Sequence, residues 1–346
     1  MMTICKGALN REDIMVSVSS SAALGNSTAL TLLKGSSQSA AAPTKQSAAS
    51  QILSSISGGN LDPLKQAEGQ ITRILLESGG QFIIGGASSD IIGTDKDDII
   101  RAGPGSWVNG GDGDDIISGS FEMNISGGAG NDTISVGSGS TIDGGEGNDT
   151  ISAFGGSMVL GGSGGDTISA GIGNTVIGGA GDDTISAAFE NTVIGGVGND
   201  AIVAAHRNSI DAGAGDDTIS AGIGNTITGG TGNDKITISG LQAESYGSGS
   251  SGSTVKFEVG DGQDSISLIQ SSSTVELGEG FTAENTKVTI TGNKATISFD
   301  GNDNDGISVD FFFGSALTLS FADGNTLEVK PGETEMPSFV SSYGQV

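Results

Sequence analysis

Nine aspartates stand 17 residues apart without a slip: Asp98, Asp115, Asp132, Asp149, Asp166, Asp183, Asp200, Asp217 and Asp234. Glycine-rich turns precede eight of them, from GGDGDDIIS (110–118) through GGAGNDTIS (127–135) to GGTGNDKIT (229–237). Glycine permits positive φ and lets backbone carbonyls crowd toward one point, while the aspartate adds a carboxylate at the edge of the same turn. If successive turns stack, neighbouring carboxylates lie about 4.8 Å apart and repel by roughly 1 kcal/mol per pair in water, several times more at a lower dielectric. An uncompensated column of that kind is unstable. Calcium accepts six to eight oxygen ligands in irregular geometry and fits a gap between two such turns; magnesium, with its rigid octahedron and tightly held waters, fits it worse.

The elements that would hold this column follow from two apolar columns. Ile100, Ile117, Ile134, Ile151, Ile168, Ile185, Ile202, Ile219 and Ile236 recur two residues after each aspartate, and Val108, Ile125, Ile142, Val159, Val176, Val193, Ile210 and Ile227 lie between them. Each period thus supplies two short β-branched strands and two turns, neither able to bury its face alone. Coils stacked by hydrogen bonds solve this, whereas Gly-Gly-x-Gly every 17 residues is incompatible with a helical repeat. The expected fold is all-β: a parallel β-roll or β-solenoid of 17-residue coils, nine of them spanning about 40 Å, with a short N-terminal helix and a β-rich C-terminal cap.

The expected divisions are a disordered Ser/Ala-rich segment over 1–59, an amphipathic capping helix over 60–80, the roll over 81–239 and the cap over 240–346. Asp62 as N-cap, Pro63 at the first helical position and Leu64, Ala67, Ile71, Ile74 and Leu75 at helical spacing specify the helix, whose stripe would cover the open end of the roll. Beyond Thr237 the register is lost in a Gly/Ser-rich loop (246–254) and returns as VGDGQDSI (259–266), followed by alternating runs over 274–277, 287–291, 295–299, 307–313, 317–321 and 326–329, which read as cap strands with Phe311, Phe312 and Phe313 in their core. The stretch 300–306 (DGNDNDG) reads as an acidic surface turn.

Composition limits the functions available. The chain of 346 residues carries 14 basic and 41 acidic residues, a net charge of −27, so nucleic acid and anionic lipid are disfavoured partners and cations are favoured. Cys5 and His206 are the sole cysteine and histidine, which excludes an internal disulfide, a thiolate zinc site and a multi-His centre. No apolar run reaches the length of a membrane span, and residues 14–33, broken by serines and preceded by Glu12 and Asp13, make a poor signal peptide. There is no HExxH, and the one GxSxG match, 161–165, is a repeat turn. The reading is not an enzyme.

The turns resemble the RTX, or haemolysin-type calcium-binding, nonapeptide GGxGxDxUx, and the resemblance covers residues 93–237. It implies a parallel β-roll with Ca²⁺ held between coils. The candidate ligands are the column aspartates, Asp98 being the weakest because its turn departs from the pattern, with backbone groups of the turns: Gly110, Asp112 and Gly113 before Asp115; Gly127, Ala129 and Gly130 before Asp132; Gly144, Glu146 and Gly147 before Asp149; Gly161, Ser163 and Gly164 before Asp166; Gly178, Ala180 and Gly181 before Asp183; Gly195, Val197 and Gly198 before Asp200; Ala212, Ala214 and Gly215 before Asp217; Gly229, Thr231 and Gly232 before Asp234. About eight Ca²⁺, one per gap, would nearly offset the net −17 of residues 90–237. The C-terminal third looks like the related domain that often follows such repeats, and the resemblance implies secretion by the type I route through an uncleaved signal near residues 337–346.

One departure from the family matters. The repeat is nine plus eight residues, and the second turn carries Asn174, Asn191, Asn208 and Asn225, with Ser106, Ser140 and Ser157 in earlier coils, where the family places a second row of aspartates. A one-sided roll is expected, with calcium along one edge and a neutral Asn/Ser ladder along the other. The expected function is a secreted calcium-binding module that folds on Ca²⁺ outside the cell, structural or adhesive at a bacterial surface or matrix. The alternatives are a secreted effector, a polysaccharide-binding module and the non-catalytic tail of an exported hydrolase.

Overall fold

The structure, a computed structural model, describes residues 66–76, 78–240 and 252–331. The Ser/Ala-rich segment, the Asp62-Pro63 helix start, most of the 246–254 loop and the 337–346 signal region lie outside the described residues. All regular structure among those described is β, and the chain divides into two units, residues 1–152 and 153–346.

In the first unit the strands Gln81–Gly85, Ile99–Ala102, Ile116–Gly119 and Thr133–Val136 pair in parallel, one coil to the next. Asp90–Thr94, Trp107–Asp112, Asn124–Ala129 and Thr141–Glu146 do the same in a second sheet. The second unit repeats the arrangement, and the register sets each isoleucine on its equivalent: Ile168 faces Ile185, Ile185 faces Ile202, and Ile202 faces Ile219. Alternation does the rest. Ile117, Ile134, Ile185 and Ile202 are at most 1% exposed while their flanking residues face outward, so each coil's β-branched residues make the core that the apolar columns anticipate.

The expected helix is not there in the described residues: Ile71–Leu75 is a strand, antiparallel to Gln81–Gly85. A parallel coil at the end of a stack exposes unpaired N–H and C=O groups, and a strand satisfies them where a helix would only cover them. The β-branched Ile71, Thr72 and Ile74 suit that role, and tertiary pairing overrides the helical spacing.

Stacking also continues past Thr237. Ile236 pairs with Ile266 and Ile266 with Val309; Ile227 pairs with Val255, Val255 with Val275 and Val275 with Leu319. The second unit ends antiparallel, with Lys294–Phe299 on Asn302–Phe312, Thr286–Thr291 on Lys294–Phe299, and Thr326–Val329 on Ala316–Phe321. Here the core gains rings: Phe281 and Phe299 lie 4.0 Å apart by centroid and both meet Phe257. Phe311 is buried as expected, but Phe312 and Phe313 are 44% and 77% exposed, because alternation turns Phe312 outward and Phe313 begins the next turn at φ 56°.

Gly128 shows why the turns need glycine. Its φ is 120°, and a methyl there would overlap the carbonyl of Gly111 in the preceding coil. Gly139, at φ 73°, has only the Glu122 side chain nearby. Gly128→Ala should therefore cost about 3 kcal/mol or more and Gly139→Ala only about 1 kcal/mol, read by thermal or denaturant unfolding.

Candidate metal centre

Each column aspartate sits at the end of its glycine turn, just before a strand, and is 1% exposed from Asp98 through Asp234. Its two oxygens have different fates. Oδ1 accepts the amide of the aspartate one coil earlier: Asp98 N–H donates to Asp115 at 2.7 Å, Asp115 to Asp132 at 2.8 Å and Asp132 to Asp149 at 2.7 Å in the first unit. In the second unit Asp166 donates to Asp183, Asp183 to Asp200, Asp200 to Asp217 and Asp217 to Asp234, all at 2.7–2.8 Å. Oδ2 of Asp115, Asp132, Asp183, Asp200, Asp217 and Asp234 is buried and meets no hydrogen-bond donor. Asp98 differs, since its Oδ2 accepts the Thr94 amide at 2.6 Å and its Oδ1 the Gln81 amide.

The surroundings of Oδ2 are oxygen-rich. A methyl on Gly110 would overlap both Asp115 Oδ2 and the carbonyl of Gly127 from the next turn, and the same holds for Gly127 with Asp132 and Gly144, Gly178 with Asp183 and Gly195, and Gly195 with Asp200 and Ala212. Carboxylate and first-position carbonyl thus converge from two turns on a space that only glycine leaves clear. Ala212 is the exception in the column, a fully buried methyl-bearing residue in the turn of Asp217. The third-position carbonyls are already engaged: those of Ala129, Glu146, Ala180, Val197, Ala214 and Thr231 accept the fourth-position amide of the preceding turn at 2.7–2.9 Å. The side chains of Asp112, Glu146, Ser163, Val197 and Thr231 face solvent.

Burial and crowding push these carboxyls toward their neutral form. Desolvation raises Asp115 to about 7, against the pull of the Asp98 amide, and the charges of Asp132, Asp98 and Asp97 add to the rise. Asp183 and Asp217 reach about 7 and Asp132 and Asp234 about 6 for the same leading reason. A dicationic ion would remove the penalty. The donors are all hard oxygens, the buried Oδ2 of Asp115, Asp132, Asp183, Asp200, Asp217 and Asp234 meets no donor, and the neighbouring space is shaped by absent side chains, so the residues fit calcium. Among the described residues no three His, Cys, Asp or Glu side chains converge as a cluster, so main-chain carbonyls would have to complete the coordination.

Two ladders flank this column. The fifth turn position is exposed, as its mixed Asp/Asn composition suggests, but it works: Asp97 Oδ1 accepts the Asp114 amide, Asp114 that of Asn131, Asp182 that of Asn199 and Asp216 that of Asn233. The sense is opposite to that of the aspartate column, each side chain reaching to the later coil. On the other edge the neutral ladder is present and buried. Asn174, Asn191 and Asn208 donate their amides to Asn191, Asn208 and Asn225 Oδ1 at 2.8–2.9 Å, and Ser89 and Met123 donate theirs to Ser106 and Ser140. His206 lies in this edge's turns, stacked on Phe189 with Nδ1 accepting the Ile223 amide at 3.2 Å, a structural place.

The geometry defines a class: a parallel roll of glycine turns with one row of buried carboxyls, the architecture of a calcium-binding β-roll. The family model described as RTX calcium-binding nonapeptide repeat (4 copies) matches residues 92–121, 124–141, 137–157, 160–191, 207–226 and 224–237. These segments carry RTX repeats, and repeats and fold together make this a calcium-binding β-roll protein. The coil of Asp200 falls between matched segments yet keeps the same ladder bonds. No curated protein matches the chain.

The raised carboxyl pKa values fix the sign of a pH effect. Folded groups near 6–7 hold protons that the unfolded chain, near 3.8, has released, so stability without metal is greatest below about pH 4 and falls as pH rises through 7. In chelator the thermal midpoint should drop between pH 5 and 7.5, and millimolar Ca²⁺ should restore it at pH 7.5; a midpoint that climbs with pH in chelator would contradict this account.

Proposed function

We propose that this protein is a secreted, calcium-dependent β-roll that completes its folding when it meets millimolar Ca²⁺ outside the cell, with a structural or adhesive role at a bacterial surface or matrix. The observation that carries the reading is the row of buried Oδ2 atoms without donors. In this proposal each gap takes one ion, about eight in all, held by column aspartates from Asp115 to Asp234 with first-position carbonyls such as Gly127 O and Gly195 O as partners. The ion supplies counter-charge and binds adjacent coils; it takes no part in a reaction. Asp98, saturated by amides, is left outside the set.

Export before folding suits this chemistry, since an unneutralised column disfavours the folded state where calcium is scarce. RTX repeat proteins are typically secreted, which supports placing this one outside the cell, and the type I route through residues 337–346 belongs to the same proposal. The net charge of −27 falls as ions load, which suits spacing or adhesion rather than binding to polyanions. The repeats are proposed to be non-catalytic: Ser163 of the GxSxG match is the exposed third position of an ordinary turn, and His206 is committed to its own edge.

The test pairs circular dichroism with calorimetric ion counting, with and without millimolar Ca²⁺. Asp183→Asn, Asp200→Asn and Asp217→Asn combined should remove at least two bound ions and weaken uptake at least tenfold, while Asn191→Ser with Asn208→Ser should lower the melting temperature and leave the count unchanged. Equal effects on uptake, or a fully folded calcium-free protein that takes up no ions, would overturn the proposal.

A further inference from the structure

Away from the aspartate column, the chain's sole tryptophan, Trp107, stands 46% exposed at the start of Trp107–Asp112. The register sets Asp90 beside it on one side and Asn124 on the other. All three side chains point outward, because the next residue along each strand, Ile91, Val108 or Ile125, is buried. Strand spacing places each flanking residue about 4.8 Å from the tryptophan's backbone. Later repeats carry residues such as Thr141 and Thr175 at this position, so the trio belongs to the first coils alone.

A cavity of about 420 Å³ opens at the same place, lined by Ser88, Ser89, Asp90, Gly105 and Trp107. Its backbone is held firmly. Trp107 N–H donates to the Ser89 carbonyl at 2.9 Å, Ser89 N–H to Ser106 Oγ at 3.0 Å, and Ser89 Oγ to the Gly86 carbonyl at 2.9 Å. Ser88 adopts φ 54°, and a methyl on Gly105 would lie 3.8 Å from its hydroxyl, so that hydroxyl borders the space above Gly105. Among the described residues Asp90–Thr94 is the last strand of its sheet, which leaves the cavity open on that side.

The polar groups around the indole are unengaged. Among the described residues no hydrogen bond or ion pair takes up the Asp90 carboxylate, the Asn124 side-chain amide, the Ser88 hydroxyl or the Trp107 indole N–H. An apolar ring face with an acceptor on one flank and a donor–acceptor on the other suits a ligand whose flat face is C–H and whose rim is hydroxyl. A pyranose with equatorial hydroxyls has that form. A nucleotide would bring phosphate toward Asp90 and a net charge of −27, and an ammonium ligand calls for a cage of several rings. An apolar peptide laid over the indole would bury the Asp90 carboxylate without a partner.

We propose that Trp107, Asp90, Asn124 and Ser88 form a binding site for an uncharged glycan. Trp107 is the stacking platform, Asp90 accepts hydrogen bonds from neighbouring sugar hydroxyls, and Asn124 and Ser88 complete the rim. The site uses no column aspartate, so it stands or falls separately from ion binding. It gives the proposed surface or matrix role a class of partner, a neutral polysaccharide.

Because Trp107 is the only tryptophan, its emission in the full-length protein reports this site alone. In millimolar Ca²⁺ the protein is titrated with cellohexaose, laminarihexaose and chitohexaose, and with an alginate oligomer as the polyanionic control. A saturable blue shift is expected with at least one uncharged chain, and binding at least tenfold weaker with alginate. By calorimetry, Trp107→Ala and Asp90→Asn should each weaken the glycan bound by the parent at least tenfold, whereas Trp107→Phe, which keeps a ring, should retain most of the affinity. Both positions are exposed, so the variants should keep the parent's circular dichroism and ion count. Silence toward all three uncharged chains would overturn the site, as would unchanged affinity in Trp107→Ala. An indole that is both silent and shielded from acrylamide would overturn it in favour of residues 1–65 or a second copy as occupant.

Discussion

A carboxyl oxygen held in the interior with nothing to donate to it is the constraint around which this protein is built. The backbone can satisfy one oxygen of each column aspartate, because the strand geometry that stacks the isoleucines also brings one amide per coil to Oδ1. The second oxygen of Asp115, Asp132, Asp183, Asp200, Asp217 and Asp234 meets no donor, whereas at Asp98 the Thr94 amide reaches it. In the proposed reading, ligand chemistry is a remainder left by folding, and a divalent ion would complete what the chain leaves open.

The two edges of the roll show the same problem solved in two ways. Asparagine carries donor and acceptor on one side chain, so Asn191 accepts the Asn174 amide through Oδ1 and donates through Nδ2 to Asn208 and to the Gly171 carbonyl. That column closes on itself. Aspartate has only acceptors, so its column accumulates charge and depends on something external. Exchanging one atom type along an edge therefore converts a self-sufficient ladder into a conditional one.

Much of this was legible in the sequence because a strict period leaves few alternatives. The aspartate and isoleucine columns predict the stacked coils, and the asparagines at 174, 191, 208 and 225 predict the neutral edge. The Ile71–Leu75 strand was hidden because its spacing suits a helix and only the open edge of the first coil decides otherwise. The repeat pattern returns legibly at 259–266 with Asp264, but insertions break the period, so the pairing of Asp264 with Asp234 and of Asp305 with Gly260 and Gly262 is a tertiary fact. The split between Oδ1 and Oδ2, and the reversed ladder at the fifth position, depend on side-chain direction, which residue types alone do not encode.

The uniform register has an evolutionary corollary. Since Ile185 receives from Ile168 the same contact it passes to Ile202, a 17-residue block duplicated by unequal recombination enters the stack without any new packing problem. Gene-level slippage can thus lengthen or shorten a stack of coils in whole steps, and the antiparallel strands are the parts that such growth leaves untouched.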